Sequence, residues 1–267
     1  MQALQILVAT VGQKDHSLVE KMNVCCDAVI ANQADREAID RFSAGEHSIR
    51  MITTKTRGVG LNRNIALLAA DAPLVLFSDD DVIYYDGVAR AVAEAFDQMP
   101  QADVLVFGMD ISRDGQITER RHLQRKRLRL HNSLRFGTYR IAVRREALLR
   151  HQISFHQSFG GGCPFSCGED SLFLKACFDK GLKVYAHELV LGTCAKDSST
   201  WFAGYHEKFY YDKGVLMRHL FPRIPHLMAV VFGLRYRYPT ALSRWEQIRW
   251  MLKGVRGGKK LIPYKNT

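Results

Sequence analysis

The segment Leu74-Val75-Leu76-Phe77-Ser78-Asp79-Asp80-Asp81 constrains the fold more than any other part of the chain. A short apolar run with no polar alternate fits a strand buried on both faces of a parallel sheet. It then ends in three adjacent carboxylates. These repel one another, and a divalent metal or a set of hydrogen-bond donors offsets the repulsion. Open α/β sheets take ligands at the carboxyl ends of their strands, so the position suits a site as well as the residue types do. Continued extension predicts Asp79 and Asp81 on one face and Asp80 on the other. A turn or helix cap by Asp80 or Asp81 is the alternative reading.

The surrounding pattern extends this strand into an α/β class. Strands are expected at 4–9, 28–31, 49–53, 74–78 and 103–109, with helices at 16–23, from the Arg57-Gly58-Val59-Gly60 opening to before Pro73, and at 87–99. That alternation predicts a mostly parallel sheet flanked by helices. Further on, a strand at 139–143, a helix at 170–180 stopped by Gly181, and two short strands at 184–186 and 189–191 are expected. From about Trp201 the chain reads as helical, punctuated by Pro222, Pro225 and Pro239.

The net charge is +11, and most of the excess is local. From Arg120 to Arg150 there are eleven Lys or Arg against one acid, Glu146. Such a run suits an anionic partner, or forms a solvated helical face. Met1 to Thr10 lacks the charged start and apolar core of a secretory signal, which points to the cytosol. The apolar stretch Leu227 to Leu234 falls well short of the roughly 18–20 residues that span a bilayer. Six cysteines in a reducing compartment read as free thiols. Cys163 and Cys167 lack a second pair at the spacing of a zinc site.

Two further segments carry chemistry. Arg57-Gly58-Val59-Gly60 sets a glycine turn at a helix start, which welcomes phosphate or simply makes the turn. It is neither GxGxxG nor a P-loop. A glycine stretch from Phe159 runs into Gly168-Glu169-Asp170, where Asp170 can cap the following helix or act as a base.

Taken in order, Arg57-Gly58-Val59-Gly60-Leu61-Asn62-Arg63-Asn64, then Phe77-Ser78-Asp79-Asp80-Asp81, then Gly168-Glu169-Asp170 resemble the motifs of family 2 glycosyltransferases with the GT-A fold. The likeness runs from residue 4 to about 201 and is nearest to bacterial enzymes that build capsule, exopolysaccharide or lipopolysaccharide glycans. It implies a GT-A domain over 1–200, with a nucleotide-binding half to about 110 and an acceptor half from 111 to 200. A helical, basic and aromatic extension follows over 201–267. It implies inverting transfer from a nucleotide-diphosphate sugar, such as a UDP-hexose or UDP-N-acetylhexosamine, to a hydroxyl of a glycan or lipid-linked glycan. By the same resemblance Thr10, Asn32, Arg57, Gly58, Asn62, Asp79 and Asp80 line the nucleotide-sugar site. Asp81 binds Mn²⁺ or Mg²⁺, Asp170 is the base, and Glu169 helps to hold acceptor or donor.

Two departures from the family pattern stand out. Asn32-Gln33, with Asp35 further on, replaces an acidic pair after the second strand. Cys194, ahead of Asp197-Ser198-Ser199-Thr200, stands where relatives often place a histidine, and a soft thiol is a poor ligand for Mg²⁺. The competing readings are a sugar nucleotidyltransferase on the same architecture, which would want a lysine-bearing glycine loop, and a nucleic-acid binder. Three clustered aspartates oppose the latter, so no nucleic-acid partner is expected. The basic and aromatic residues of the two late segments suggest an anionic membrane surface as a further partner.

Overall fold

A computed structural model gives the fold and describes residues 2–195 and 204–261. The elements run β1 (Leu4–Val11), α1 (Leu18–Lys21), β2 (Ala28–Gln33), β3 (Ala38–Ala44), β4 (His47–Thr54), α2 (Val59–Ala69), β5 (Leu74–Asp79), β6 (Val82–Tyr84), α3 (Val88–Gln98), β7 (Val104–Arg113) and β8 (Gln116–Arg121). They continue with β9 (Lys126–Arg127), α4 (Leu130–Ser133), β10 (Ile141–Arg144), α5 (Arg145–Arg150), α6 (Glu169–Asp179), β11 (Val184–Ala195), α7 (Glu207–Leu220), α8 (Pro225–Arg235) and α9 (Arg244–Gly257). The described residues divide into two compact units. The first comprises 2–57, 61–155 and 173–195, and the second 58–60, 156–172 and 204–261.

The first unit is built on an eleven-stranded sheet of order β3-β4-β2-β1-β5-β10-β7-β11-β6, with β8 on β7 and β9 on β11. The expected α/β class holds. Parallel pairing runs through β4-β2-β1-β5 and recurs between β7 and β11. The remaining pairings are antiparallel: β3-β4 and β7-β8 are hairpins, while β10 pairs with β5 and β7, and β6 and β9 pair with β11, across long stretches of sequence. Two apolar clusters cover the sheet faces: β1 sends Leu4, Ile6 and Val8 to one and Leu7 to the other, as two-residue alternation requires. Phe77, Phe155 and Phe173 form one ring cluster, with Phe155 and Phe173 stacked 4.3 Å apart.

Several expectations are corrected. The strand β3 was not expected; its side chains are half-buried or exposed in alternation, so it lacks the apolar run that marked the others. The two short strands at 184–186 and 189–191 are one strand, β11, interrupted by register shifts that a sequence pattern reads as breaks. The basic run 120–150 is not one solvated helical face. It is divided among β8, β9, α4, β10 and α5, and tertiary partners hold much of it. Arg140 is buried and donates to the Phe107 and Arg121 carbonyls. Arg144 donates to the Ala102 and Phe96 carbonyls over the Phe96 ring, and Arg125 pairs with Glu188.

The second unit contains the glycine-rich segment and the helices α7, α8 and α9, so the helical reading holds for the described part. Gly214 on α7 and Gly254 on α9 lie against the backbone carbonyls of Met251 and Tyr211, leaving no room for a β-carbon and letting the two helices pack closely. Pro225 opens α8, where its missing N–H costs no hydrogen bond.

Candidate nucleotide-sugar site

Strand register gathers the candidate residues of the first unit. Thr53, Asn32 and Thr10 lie abreast at the carboxyl ends of β4, β2 and β1, and Ala9 pairs with Asp79 on β5. The Asn62 amide, on α2, donates to the carbonyls of Thr10 and Ala31 at 3.1 and 2.8 Å and clamps the ends of β1 and β2 together. Asn32 is fully buried and spent on its neighbours. It accepts from the Gln13 backbone N–H and donates to the Gln13 carbonyl and the Thr53 hydroxyl, so it shapes the loop after β1. Gln13 in turn donates to the Thr10 hydroxyl at 3.0 Å.

The alternation expected through Asp81 ends at Asp79. Residues 80 and 81 form the turn between β5 and β6, so the three carboxylates take three different partners. Asp79 accepts from the buried Arg63 guanidinium at 2.7 Å, and Arg63 also lies over the Phe155 ring. Asp80 accepts from the Thr10 hydroxyl at 2.5 Å. Among the described residues the Asp81 carboxylate accepts from the Cys194 thiol, at 3.5 Å, while its own carbonyl accepts from Ala195. One cation demanded by the acidic cluster is therefore within the chain, and it is spent on Asp79.

The consequence is electrostatic. Asp80 and Asp81 both reach solvent, yet the protein packed behind them disfavours their charged forms. Burial, then the charge of Asp79, push the Asp81 carboxyl up to about 6, with Asp80 adding less, against the opposing hydrogen bonds from the Cys194 thiol and the Asp81 backbone. For Asp80 burial and Asp79 act upward, while the Thr10 hydroxyl acts downward. A carboxylate raised by like charges is one that a divalent cation stabilises.

Among the described residues no group of three His, Cys, Asp or Glu is arranged to hold a metal by itself. The turn instead offers one strained carboxylate. This fits Mg²⁺ or Mn²⁺ bound by one or two carboxylates with substrate phosphates completing the shell, and does not fit a closed protein cage. The segment Asp197-Ser198-Ser199-Thr200 lies outside the described residues. Arg57, half exposed, pairs with Asp35 at 2.6 Å and donates to the Lys55 and Thr56 carbonyls, holding the loop before α2.

In the second unit Gly58 adopts φ +104°, next to the Cys163 sulfur, and Val59 donates to the Gly161 carbonyl. Asp170 does not cap its helix. The helix begins at Glu169, and the Gly168 carbonyl accepts its first bond from Leu172, so Asp170 sits within the first turn. Gly168 holds φ +114° with Leu216 of α7 packed where a β-carbon would stand. Only glycine suits that position. Glu169 packs beside Gly160 and contributes to the field around Lys213. Burial works against the Lys213 charge, but Cys167, Tyr238 and Glu169 outweigh it and hold the ammonium above its ordinary range.

Sequence reasoning passed over Arg63, Gln13, Asp212 and Lys213. Arg63 had a signal, being next to Asn62 in the same motif. Asp212 had none: it is wholly buried on α7 and accepts from the Ser166 N–H and hydroxyl at 2.9 and 2.8 Å and from Lys208 at 2.5 Å. It thereby fastens the glycine-rich loop just before Glu169-Asp170. Charge-assisted hydrogen bonds contribute about 1.5–3 kcal/mol each, so Asp212→Ala is expected to cost on the order of 3 kcal/mol and lower the melting temperature clearly. Scanning calorimetry of the variant checks this; an unchanged melting temperature would remove Asp212 from the account.

Comparison with known proteins finds a family over part of the chain. The profile of glycosyl transferase family 2 matches residues 30–155. That stretch belongs to glycosyl transferase family 2. It includes Asn32, Arg57, Gly58, Asn62 and the Asp79–Asp81 turn, whereas Thr10, Glu169 and Asp170 lie outside it. The resemblance read from the motifs is borne out, and the activity class is glycosyl transfer. No curated protein matches in sequence. Among solved structures the fold is similar to S. aureus TarS 1-349 in complex with UDP-GlcNAc, with TM-score 0.60 and 16% identity over 95% of this chain and 71% of that one. The same TarS fragment in complex with UDP gives 0.57 and 15% over 97% and 72%. A mannosyltransferase from Pyrobaculum calidifontis in complex with GDP-Man and Mn²⁺ gives 0.50 and 13% over 95% and 86%. These likenesses show that the chain has the GT-A fold.

Proposed function

We propose that this glycosyltransferase moves a hexose or N-acetylhexosamine from a UDP-sugar to a hydroxyl of a glycan or lipid-linked glycan, with inversion, in bacterial surface polysaccharide synthesis. The observation that carries the reading is the Asp79–Asp81 turn: among the described residues Arg63 and Thr10 bond two of the carboxylates, while Asp81 meets a thiol. TarS bound to UDP-GlcNAc and the archaeal mannosyltransferase bound to GDP-Man support a nucleotide-sugar donor. The proposed transferase domain is 1–200 and the extension 201–267. Six free cysteines fit a reducing, cytoplasmic compartment.

In this reading the loop held by Asn32, Asn62 and Gln13 presents the nucleoside end of the site, and Arg57 and Gly58 border the phosphates. Asp79 and Asp80 orient the ribose and donor sugar. Asp81 supplies a carboxylate oxygen to Mn²⁺ or Mg²⁺, whose chemistry there is Lewis-acid neutralisation of the departing diphosphate. Asp170 takes the proton of the acceptor hydroxyl as that oxygen attacks, and Glu169 holds the acceptor. A single displacement inverts the anomeric centre and needs no enzyme nucleophile.

Ligand-dependent melting tests the donor assignment. A ligand at 100 times its Kd stabilises by about 2.7 kcal/mol, and for a chain of this size each kcal/mol shifts the melting temperature by about 2–4 °C. UDP with Mn²⁺ is therefore expected to raise it by about 5 °C or more, and duplex DNA is not. A larger shift with DNA would favour the nucleic-acid reading.

A further inference from the structure

The helix α8 is turned inside out for a helix of a water-soluble bundle. Its buried face is made of small residues, Pro225, Ala229 and Gly233. The large apolar residues point outward: Ile224 just ahead of it is 48% exposed, Leu227 57%, Val231 42% and Leu234 48%. Steps of three, four and three residues place these four on one helical stripe. Gly233 lies against Ile248 of α9, which explains why the inner face is small. Nothing among the described residues covers the outer one.

The borders of this ridge are basic. From Lys213 to Trp245 the sequence holds no Asp or Glu, and Arg223, Arg235, Arg237 and Arg244 are exposed. Arg244 donates to the Leu234 carbonyl, which fixes the start of α9 at the carboxyl end of α8. Trp245 stands there 77% exposed. An aliphatic stripe, an exposed indole and flanking arginines, with the adjoining Glu246 taken up by its Ser243 cap, form the pattern of a helix that lies in a lipid interface. At eleven residues α8 is far too short to cross a bilayer, and no described helix is long and apolar enough to do so.

We infer that α8 docks on an anionic lipid surface, with the ridge Ile224, Leu227, Val231 and Leu234 entering the interface and Trp245 and the arginines at headgroup level. Charge selects this occupant over a second copy of the chain. A two-fold contact would set the same face against itself and bring Arg223, Arg235, Arg237 and Arg244 together, with the neighbouring Glu246 already engaged by Ser243. The inference is independent of donor chemistry, and it replaces the basic run 120–150, which the fold disperses, as the surface for membrane contact.

Sedimentation of the full chain with vesicles tests it. The wild type is expected to pellet with phosphatidylcholine vesicles containing phosphatidylglycerol, not with pure phosphatidylcholine, and to be released by high salt as exposed charges are screened. The double variant Leu227→Glu, Val231→Glu should lose about tenfold or more of the bound fraction, because the stripe drives insertion. Both positions are exposed, so melting should not change. Arg235→Glu with Arg237→Glu provides a second, independent loss of binding. Absence of pelleting with anionic vesicles at low salt, or equal pelleting of the ridge variant, overturns the inference. So does a wild-type dimer in sedimentation velocity that the ridge variant splits, which would assign the stripe to self-association.

Discussion

Asp81→Asn is expected to lower turnover by on the order of 10²-fold or more, the scale seen when one preorganised charge-stabilising contact is lost. It should also abolish the part of UDP affinity that depends on Mn²⁺. The fold should survive the change. Asn can still accept from the Cys194 thiol, and the bond from Ala195 goes to the main-chain carbonyl of residue 81. Removing one of three adjacent negative charges also relieves the repulsion that raises the Asp81 carboxyl. Titration of UDP with and without Mn²⁺, on wild type and variant, separates the outcomes. An intact metal-dependent affinity in Asp81→Asn would move the ligand role elsewhere.

Asp170→Asn is expected to cost about 10²–10⁴-fold in turnover, the range for a general base, with donor affinity close to wild type. Its position in the first turn of α6 gives it a second, smaller role. A carboxylate near a helix N-terminus contributes about 0.3–1 kcal/mol, so stability should fall by no more than that. The difference between the two magnitudes is the diagnostic. A variant that turns over normally, or that loses stability and donor binding together, makes Asp170 structural.

The carboxyl ends of the strands were legible because an apolar run that stops in charged or hydroxyl residues is a local signal. The aspartate cluster was found this way, whereas Thr10 and Asn32 came only from the family resemblance. Their partners were not legible. Asp79 meets Arg63 sixteen residues away, Asp80 meets Thr10 at a separation of 70, and Asp81 meets Cys194 at 113. Only strand order brings these together, and strand order is set by the whole sheet. The strand β3 was hidden because an edge strand with both faces partly wet carries no apolar run. The apolar stretch of α8 was visible, but periodicity marks a stripe without saying which side is buried. Packing of Gly233 on Ile248 decides that.

The central claim is transfer from a nucleotide sugar at the Asp81 turn, and release of nucleoside diphosphate measures it most directly. Wild type and Asp81→Asn are incubated with a panel of UDP- and GDP-sugars and Mn²⁺, with and without a chelator, and free UDP and GDP are resolved by chromatography. The account predicts UDP release by the wild type from at least one UDP-sugar, suppressed by the chelator and by Asp81→Asn. Release by Asp81→Asn at the wild-type rate, or no release from any donor in the panel, would contradict it.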